Sequence, residues 1–178
     1  MGLTATMRRF DIELSHCDRG VFESLALRVA QHPSESDRYL VARVIARALE
    51  HGEYMDFSKG LAADDEPAVW QHDATGVLRA WIEVGSPSTE RLHRASKTGA
   101  RVAVYGFKHD NLLKDLITAH VFKKEQLELY TLPVSFLDQL VATLDRNNTW
   151  SMTLNDGSLY VEINSKTYEC TLERVRIG

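Results

Sequence analysis

Two tryptophan-bearing apolar runs, AVW at Ala68–Trp70 and VLRAWIEVG at Val77–Gly85, are joined only by Gln71 and the polar segment HDATG. No other stretch narrows the possible folds of this chain as much. Short runs rich in aromatic and β-branched residues, linked by a polar segment ending in Gly, read as an antiparallel β-hairpin. In such a hairpin the start of the first strand lies beside the end of the second, so Asp64, Asp65 and Glu66 are expected close to Glu83. Strand alternation puts Trp81 on the face of Glu83, with Ile82 and Val84 on the other. Carboxylates gathered at one end of a sheet are costly unless a cation or a proton compensates them, and the pattern points to a divalent-metal site. Taken alone, Asp-Asp-Glu-Pro reads first as a solvated loop in which Pro67 starts the strand. Glu83 argues for the metal, because a carboxylate inside an apolar strand is hard to leave unpaired.

The remaining composition sets limits. A chain of 178 residues suits one domain spanning 1–178, long enough to bury about 70% of its unfolded surface without staples. A net charge of −4 argues against coating nucleic acid through bulk electrostatics, yet leaves room for a local basic track. No apolar run approaches the roughly twenty residues of a membrane span, and Met1 to Arg9 carries charge where the apolar region of a secretory signal would begin. Cys17 and Cys170 are far apart with no metal-type spacing, which predicts reduced thiols in a cytoplasmic protein. The histidines are scattered, with no HExxH, and GxGxxG, Walker and GxSxG motifs are absent.

Along the chain, Thr4–Leu14 alternates as a half-exposed strand, and Phe22–Gln31 reads as either a strand or a short helix, its second half favouring a strand. Ser34 is the expected N-cap of a helix carrying Leu40, Val41, Val44, Ile45, Ala48 and Leu49, stopped at Gly52. Arg43 and Arg47 fall on its other face, where a solvated stripe is the ordinary expectation. Glu35 would decorate the first turn or aim at the acidic cluster. Tyr54–Ser58 is a short strand leading Lys59 toward the same acids. Ser86-Pro87 opens a basic helix to about Thr98, bearing Arg91, His93, Arg94 and Lys97, with Arg101 just beyond. That helix could grip phosphates or be plain solvated charge. The rhythm of Arg101–Phe107, Asn111–Val121 and Gln126–Leu132 suggests a parallel strand–helix–strand crossover. A helix from Pro133 ends at Asn147-Asn148, and TWSMTL with LYVEINS forms a hairpin about Asn155-Asp156-Gly157. TYECTLERVRI adds one more strand, and these terminal strands are expected to pair with Thr4–Leu14 as a second sheet. The class is α/β in a mixed α+β arrangement.

An acid-bearing helix, a strand, an acid-ended hairpin, a helix and a strand follow the αβββαβ order of the PD-(D/E)XK nuclease core. More closely, HPSES, FSKGLAADDEP followed by AVW, and WIEVGSP with a basic helix behind it resemble the YaeQ family over essentially the full chain. The resemblance implies a variant of the PD-(D/E)XK fold. Carried onto this sequence, Asp65 or Glu66 resembles the acid of the PD element, Glu83 the acid of (D/E)XK, and Glu35 the acid of the first core helix. Gly85 stands where the motif has lysine, and Lys59, Arg94 and Lys97 are the candidate replacements, Arg being the poorer proton-transfer group.

Two functions follow. One is a Mg²⁺- or Mn²⁺-dependent nuclease, with Asp65, Glu83 and Glu66 on the metal, and Glu35, Lys59 and Lys97 joining Asp65 and Glu83 in catalysis. Arg91, Arg94 and Arg101 would bind nucleic-acid phosphate. The other is a non-catalytic module that keeps the fold and binds nucleic acid or a protein partner. Neither involves a membrane.

Overall fold

The computed structural model describes residues 4–59 and 65–177. Among these, the first elements are β1 (Thr6–His16), β2 (Val21–Gln31), α1 (Asp37–Leu49), β3 (Met55–Phe57), β4 (Val69–His72), β5 (Leu78–Val84) and α2 (Thr89–Lys97). After them come β6 (Arg101–Gly106), α3 (Asp110–Thr118), β7 (Glu128–Thr131), α4 (Val134–Val141), β8 (Asn147–Asn155), β9 (Ser158–Ile163), β10 (Lys166–Thr171) and β11 (Glu173–Val175). The chain is a mixed α+β protein with two mixed sheets. It divides into two compact units, each made of two stretches: Met1–Leu49 with Pro133–Leu172, and Glu50–Leu132 with Glu173–Gly178.

The first unit holds a five-stranded sheet in the order β10-β9-β8-β1-β2. Every neighbouring pair is antiparallel except β1 with β8. Alternation explains the sheet: Phe10, Ile12 and Leu14, Leu25, Leu27 and Val29, Trp150, Met152 and Leu154, and Leu159, Val161 and Ile163 are buried on one face. The hairpin turn sits where the sequence puts it, with Asp156 and Gly157 both at positive φ (49° and 77°), as a two-residue turn matched to strand twist requires. β2 is a strand along its whole length. The terminal hairpin joins Thr4–Leu14 as expected, through β8.

Helix α1 corrects one expectation. From Leu40 to Leu49 every residue is buried, Arg43 and Arg47 included, so neither arginine belongs to a solvated stripe. The cap differs too. The Ser36 hydroxyl, not that of Ser34, accepts a backbone N–H of the first turn (Tyr39, 3.1 Å), while Ser34 Oγ lies 2.7 Å from His32 Nδ1. Helix α4 stops at Val141, short of Asn147-Asn148, which already belong to β8. Asn148 is buried and ties the intervening turn: its Oδ1 accepts from Asp145 N and its Nδ2 donates to the carbonyls of Arg9 and Asp145.

The second unit holds a six-stranded sheet, β11-β7-β6-β5-β4-β3. β5, β6 and β7 run parallel, connected by α2 and α3, and the outer strands are antiparallel. The β4–β5 hairpin is the one the tryptophan runs demand, with a register shift at Gln71/His72. Leu92 and Ala95 of α2 and Leu112 and Leu116 of α3 pack with Val102, Val104 and Leu129 on one face of this sheet. TYECTLERVRI, expected as one strand, divides: β10 pairs with β9 and β11 with β7. Among the described residues no helix is long and apolar enough to cross a membrane.

Candidate active site

The β5–β6 register pairs Trp81 with Val102 and Glu83 with Val104. Glu83 therefore lies on the sheet face covered by α2 and α3, at the strand's C-terminal end. The Ala68 N–H donates to the Ile82 carbonyl at 3.1 Å, continuing the β4–β5 ladder and carrying Pro67 and Glu66 toward the end of β5. The chain then leaves the strand at Gly85, whose φ of 89° suits glycine and strains any residue with a β-carbon. Its N–H stays tied to the Tyr105 carbonyl at 2.9 Å. Position 85 is thus a turn that glycine favours.

Helix α2 starts over the end of the strand it has just left. Its N-cap is Ser88, two residues beyond Ser86, and the Ser88 hydroxyl accepts from the Arg91 amide at 3.2 Å. This aims the Arg91 side chain back at the sheet. Arg91 Nε donates to Glu83 Oε1 at 2.6 Å, and the Trp81 indole N–H donates to the same oxygen at 2.7 Å. Arg91 Nη2 donates to the Glu66 carbonyl, and the guanidinium lies 5.8 Å from the Trp81 ring centre, within cation–π range. The Glu66 carboxylate accepts the Lys59 backbone N–H at 3.0 Å. Burial raises the pKa of Glu83, and the Arg91 charge and the Trp81 bond pull it back without overcoming the desolvation.

The site residues read from the sequence fall into three groups. Glu83, Glu66, Arg91 and the backbone of Lys59 come together at one end of the second unit's sheet, as the hairpin argument requires. Asp65 sits beside Glu66 and is exposed, while Asp64 lies outside the described residues. Lys97 is six residues beyond Arg91 on α2, about 9 Å along the axis. Arg101 opens β6 opposite Ala80, about 10 Å along the strands from Glu83. These two belong to the other end of the sheet, and Arg94 and Lys97 are exposed. Glu35 is in the first unit, where Arg43 holds it bidentately (Nε–Oε2 2.9 Å, Nη2–Oε1 2.8 Å) with both side chains at 5% exposure or less.

A second polar group escaped the sequence reading. On the opposite sheet face, the Tyr105 hydroxyl donates to Glu50 Oε1 at 2.6 Å, and Arg101 donates to Glu50 Oε2 and to Glu128 Oε2, the latter at 3.1 Å. Tyr130 donates to Glu128 Oε1 at 2.9 Å and stacks on Tyr105 with ring centres 4.9 Å apart. Arg101 thus serves two carboxylates of its own protein. Its alternation with Tyr105 along β6 was the available signal; nothing in sequence marked Glu50 as their partner.

Among the described residues no three His, Cys, Asp or Glu side chains converge as a metal cage. The carboxylates at the end of β5 are those of Glu83 and Glu66, with Asp65 exposed beside Glu66 in the chain. Such a set fits a hard cation that keeps most of its water and needs only one or two protein carboxylates, as Mg²⁺ does.

The comparisons with known proteins agree with one another. The family model described as YaeQ protein matches residues 1–172. Similar chains are the "Uncharacterized protein YaeQ" of Escherichia coli K12, 29% identical over 177 residues (97% of this chain and 96% of that protein), and that of Salmonella typhi, 30% identical over 166 residues (90% of each). Among solved structures, the YaeQ protein from Xanthomonas axonopodis pv. citri superposes with a TM-score of 0.84 at 28% identity, covering 98% of this chain and 100% of that one. The YaeQ protein from Pseudomonas syringae gives 0.87 at 26% identity, covering 98% and 97%.

Proposed function

Since the chain belongs to the YaeQ family, we propose, from the groups at the end of β5, that it is a metal-dependent, nuclease-like protein hydrolysing phosphodiester bonds of nucleic acid. The order α1-β3-β4-β5-α2-β6 is the succession expected of a PD-(D/E)XK variant and supports the reading. The observation that carries it is the buried Glu83 carboxylate beside Glu66, with the Arg91 guanidinium spanning both residues. Glu83, Glu66 and Asp65 would hold Mg²⁺ or Mn²⁺, which supplies an acidified water and offsets phosphate charge. Arg91 offsets part of the desolvation of Glu83 and holds its carboxylate in place. Arg91 stays protonated throughout, so its part toward a phosphodiester is to bind and orient phosphate oxygens, not to accept a proton. Lys59, whose backbone N–H is tied to the Glu66 carboxylate, would supply an ammonium here.

The non-catalytic alternative has its own support: Gly85 replaces the motif's lysine, and Arg91 already compensates Glu83. Metal-stripped protein, supplied with Mn²⁺ and labelled DNA and RNA oligonucleotides, decides between them. Cleavage that needs the metal and disappears in Glu83→Gln is the expected result. Folded protein that binds oligonucleotide or a protein partner but cuts nothing, with Mn²⁺ heats unchanged by Glu83→Gln, establishes the module instead.

A further inference from the structure

Where β1 begins and β2 ends, Arg9 and Arg28 face each other in the first unit's sheet, with Asn147 opposite Arg9 on its other side and Arg146 just before β8. The Arg146 carbonyl accepts the Arg9 N–H at 2.8 Å. Like charges facing each other across an antiparallel pair are destabilising. Here they are poorly compensated. Arg9 reaches Asp11 at 3.3 Å in an exposed contact, and among the described residues the Arg28 and Arg146 side chains have no hydrogen-bond or ion-pair partner. The nearby Asp145 carboxylate accepts the Arg146 backbone N–H. Arg8 also lines this region, but its guanidinium is already engaged by Gln31 and the Asp145 carbonyl. The arginines line an open groove of about 650 Å³ together with Thr4, Thr6 and Asn147.

We propose that this groove binds the phosphodiester backbone of a nucleic-acid strand. Three guanidiniums concentrated on a chain of net charge −4 form a local anion site, the basic track that overall composition leaves open. The threonine hydroxyls and the Asn147 amide add neutral donors of the kind that contact phosphate oxygens. Among the described residues no aromatic side chain lines the groove, so these offer bases nothing to stack on, and the groove reads backbone without sequence preference. The groove needs no metal and none of the carboxylates of β5, so it stands apart from the reading at Glu83.

The test is fluorescence anisotropy of a labelled single-stranded oligonucleotide in EDTA, across about 50–200 mM salt. Wild type and Glu83→Gln are expected to share one salt slope. Arg28→Ala and Arg146→Ala each reduce its magnitude by about 0.7, the value for one lost single-strand phosphate contact. Lys166→Ala, on the far edge of the same sheet, leaves it unchanged. An unaltered slope in the double arginine variant overturns the proposal, as does an equal loss in Lys166→Ala, which would make the binding diffuse. A loss in Glu83→Gln alone also overturns it, by moving the binding to β5. Absence of cleavage with this arginine dependence intact refutes the nuclease reading and leaves the groove standing.

Discussion

Arg91 Nε stands 2.6 Å from Glu83 Oε1, an oxygen that also accepts the Trp81 indole N–H at 2.7 Å. Glu83 is 4% exposed, so removing the guanidinium leaves a buried charge with one neutral donor. Arg91→Ala is expected to cost about 3 kcal/mol at neutral pH. The pKa of Glu83 is raised, first by burial. A raised folded pKa favours the fold most below the unfolded value, about 4.3, and that contribution is lost as pH rises through the folded pKa. Without Arg91 the folded pKa rises further, so urea unfolding at about pH 4 and pH 7 should show the larger penalty at pH 7. Equal penalties at both would refute this account of the pair.

A second expectation concerns the missing motif lysine. Gly85 has φ of 89°, and its carbonyl lies 2.8 Å from where a β-carbon on Gly106 would stand. Gly85→Lys, which places a lysine where the proposed nuclease motif would have one, should destabilise by about 1–2 kcal/mol through left-handed backbone strain. Gly106→Ala should cost roughly 2 kcal/mol, since its β-carbon would also meet His109 Cε1 at 2.6 Å. Thermal melts of the two variants check both. A Gly85→Lys protein as stable as the parent would show that the turn is not what excludes lysine.

The hairpin was legible because its information is local. Alternation puts Trp81 and Glu83 on one face, and antiparallel pairing carries Glu66 to the same end. The partners of these residues were less legible, since period reports the face of a side chain and not what lies across from it. Arg43 and Arg47 look like a solvent stripe on a helical wheel; only the packed fold shows that they are buried. The caps were misplaced by two residues in α1 and α2 because Ser34 and Ser36, and Ser86 and Ser88, offer the same chemistry. Sheet register brings Arg101 and Tyr105 beside Glu128, and Glu50 joins them from a turn 78 residues before Glu128, which no window reads.

Glu35 is the residue for which family resemblance and structure imply different experiments. Held by two bonds to Arg43 and almost wholly buried, it is expected to act through stability. Arg43→Ala should cost about 3–5 kcal/mol by stranding the carboxylate, while replacing both residues by apolar side chains of similar volume should cost much less. Chemical denaturation of the single and double variants measures the difference. Glu35→Gln should leave Mn²⁺ binding per folded molecule unchanged; a loss matching that of Glu83→Gln would return Glu35 to the metal site.

The opposite sheet face makes an alkaline prediction. Burial, then the Glu50 carboxylate 2.6 Å away, drives the Tyr105 pKa well above its usual value. Burial and Glu128 push Tyr130 to about 12. Both hydroxyls hold their protons longer folded than unfolded. Their contribution to stability is therefore complete below about pH 10, the unfolded value, and is lost as pH rises through the folded pKa values. Stability should hold to about pH 10 and fall by about 12, with Tyr105 ionising only as the fold opens. Tyr105→Phe removes one of these groups, so its alkaline decline should be shallower, although it should be about 2 kcal/mol less stable at neutral pH because Glu50 loses a donor. Denaturant unfolding across this range, followed alongside tyrosinate absorbance, reads both quantities. An unchanged alkaline slope in Tyr105→Phe would mean that the Tyr105–Glu50 bond does not govern the transition.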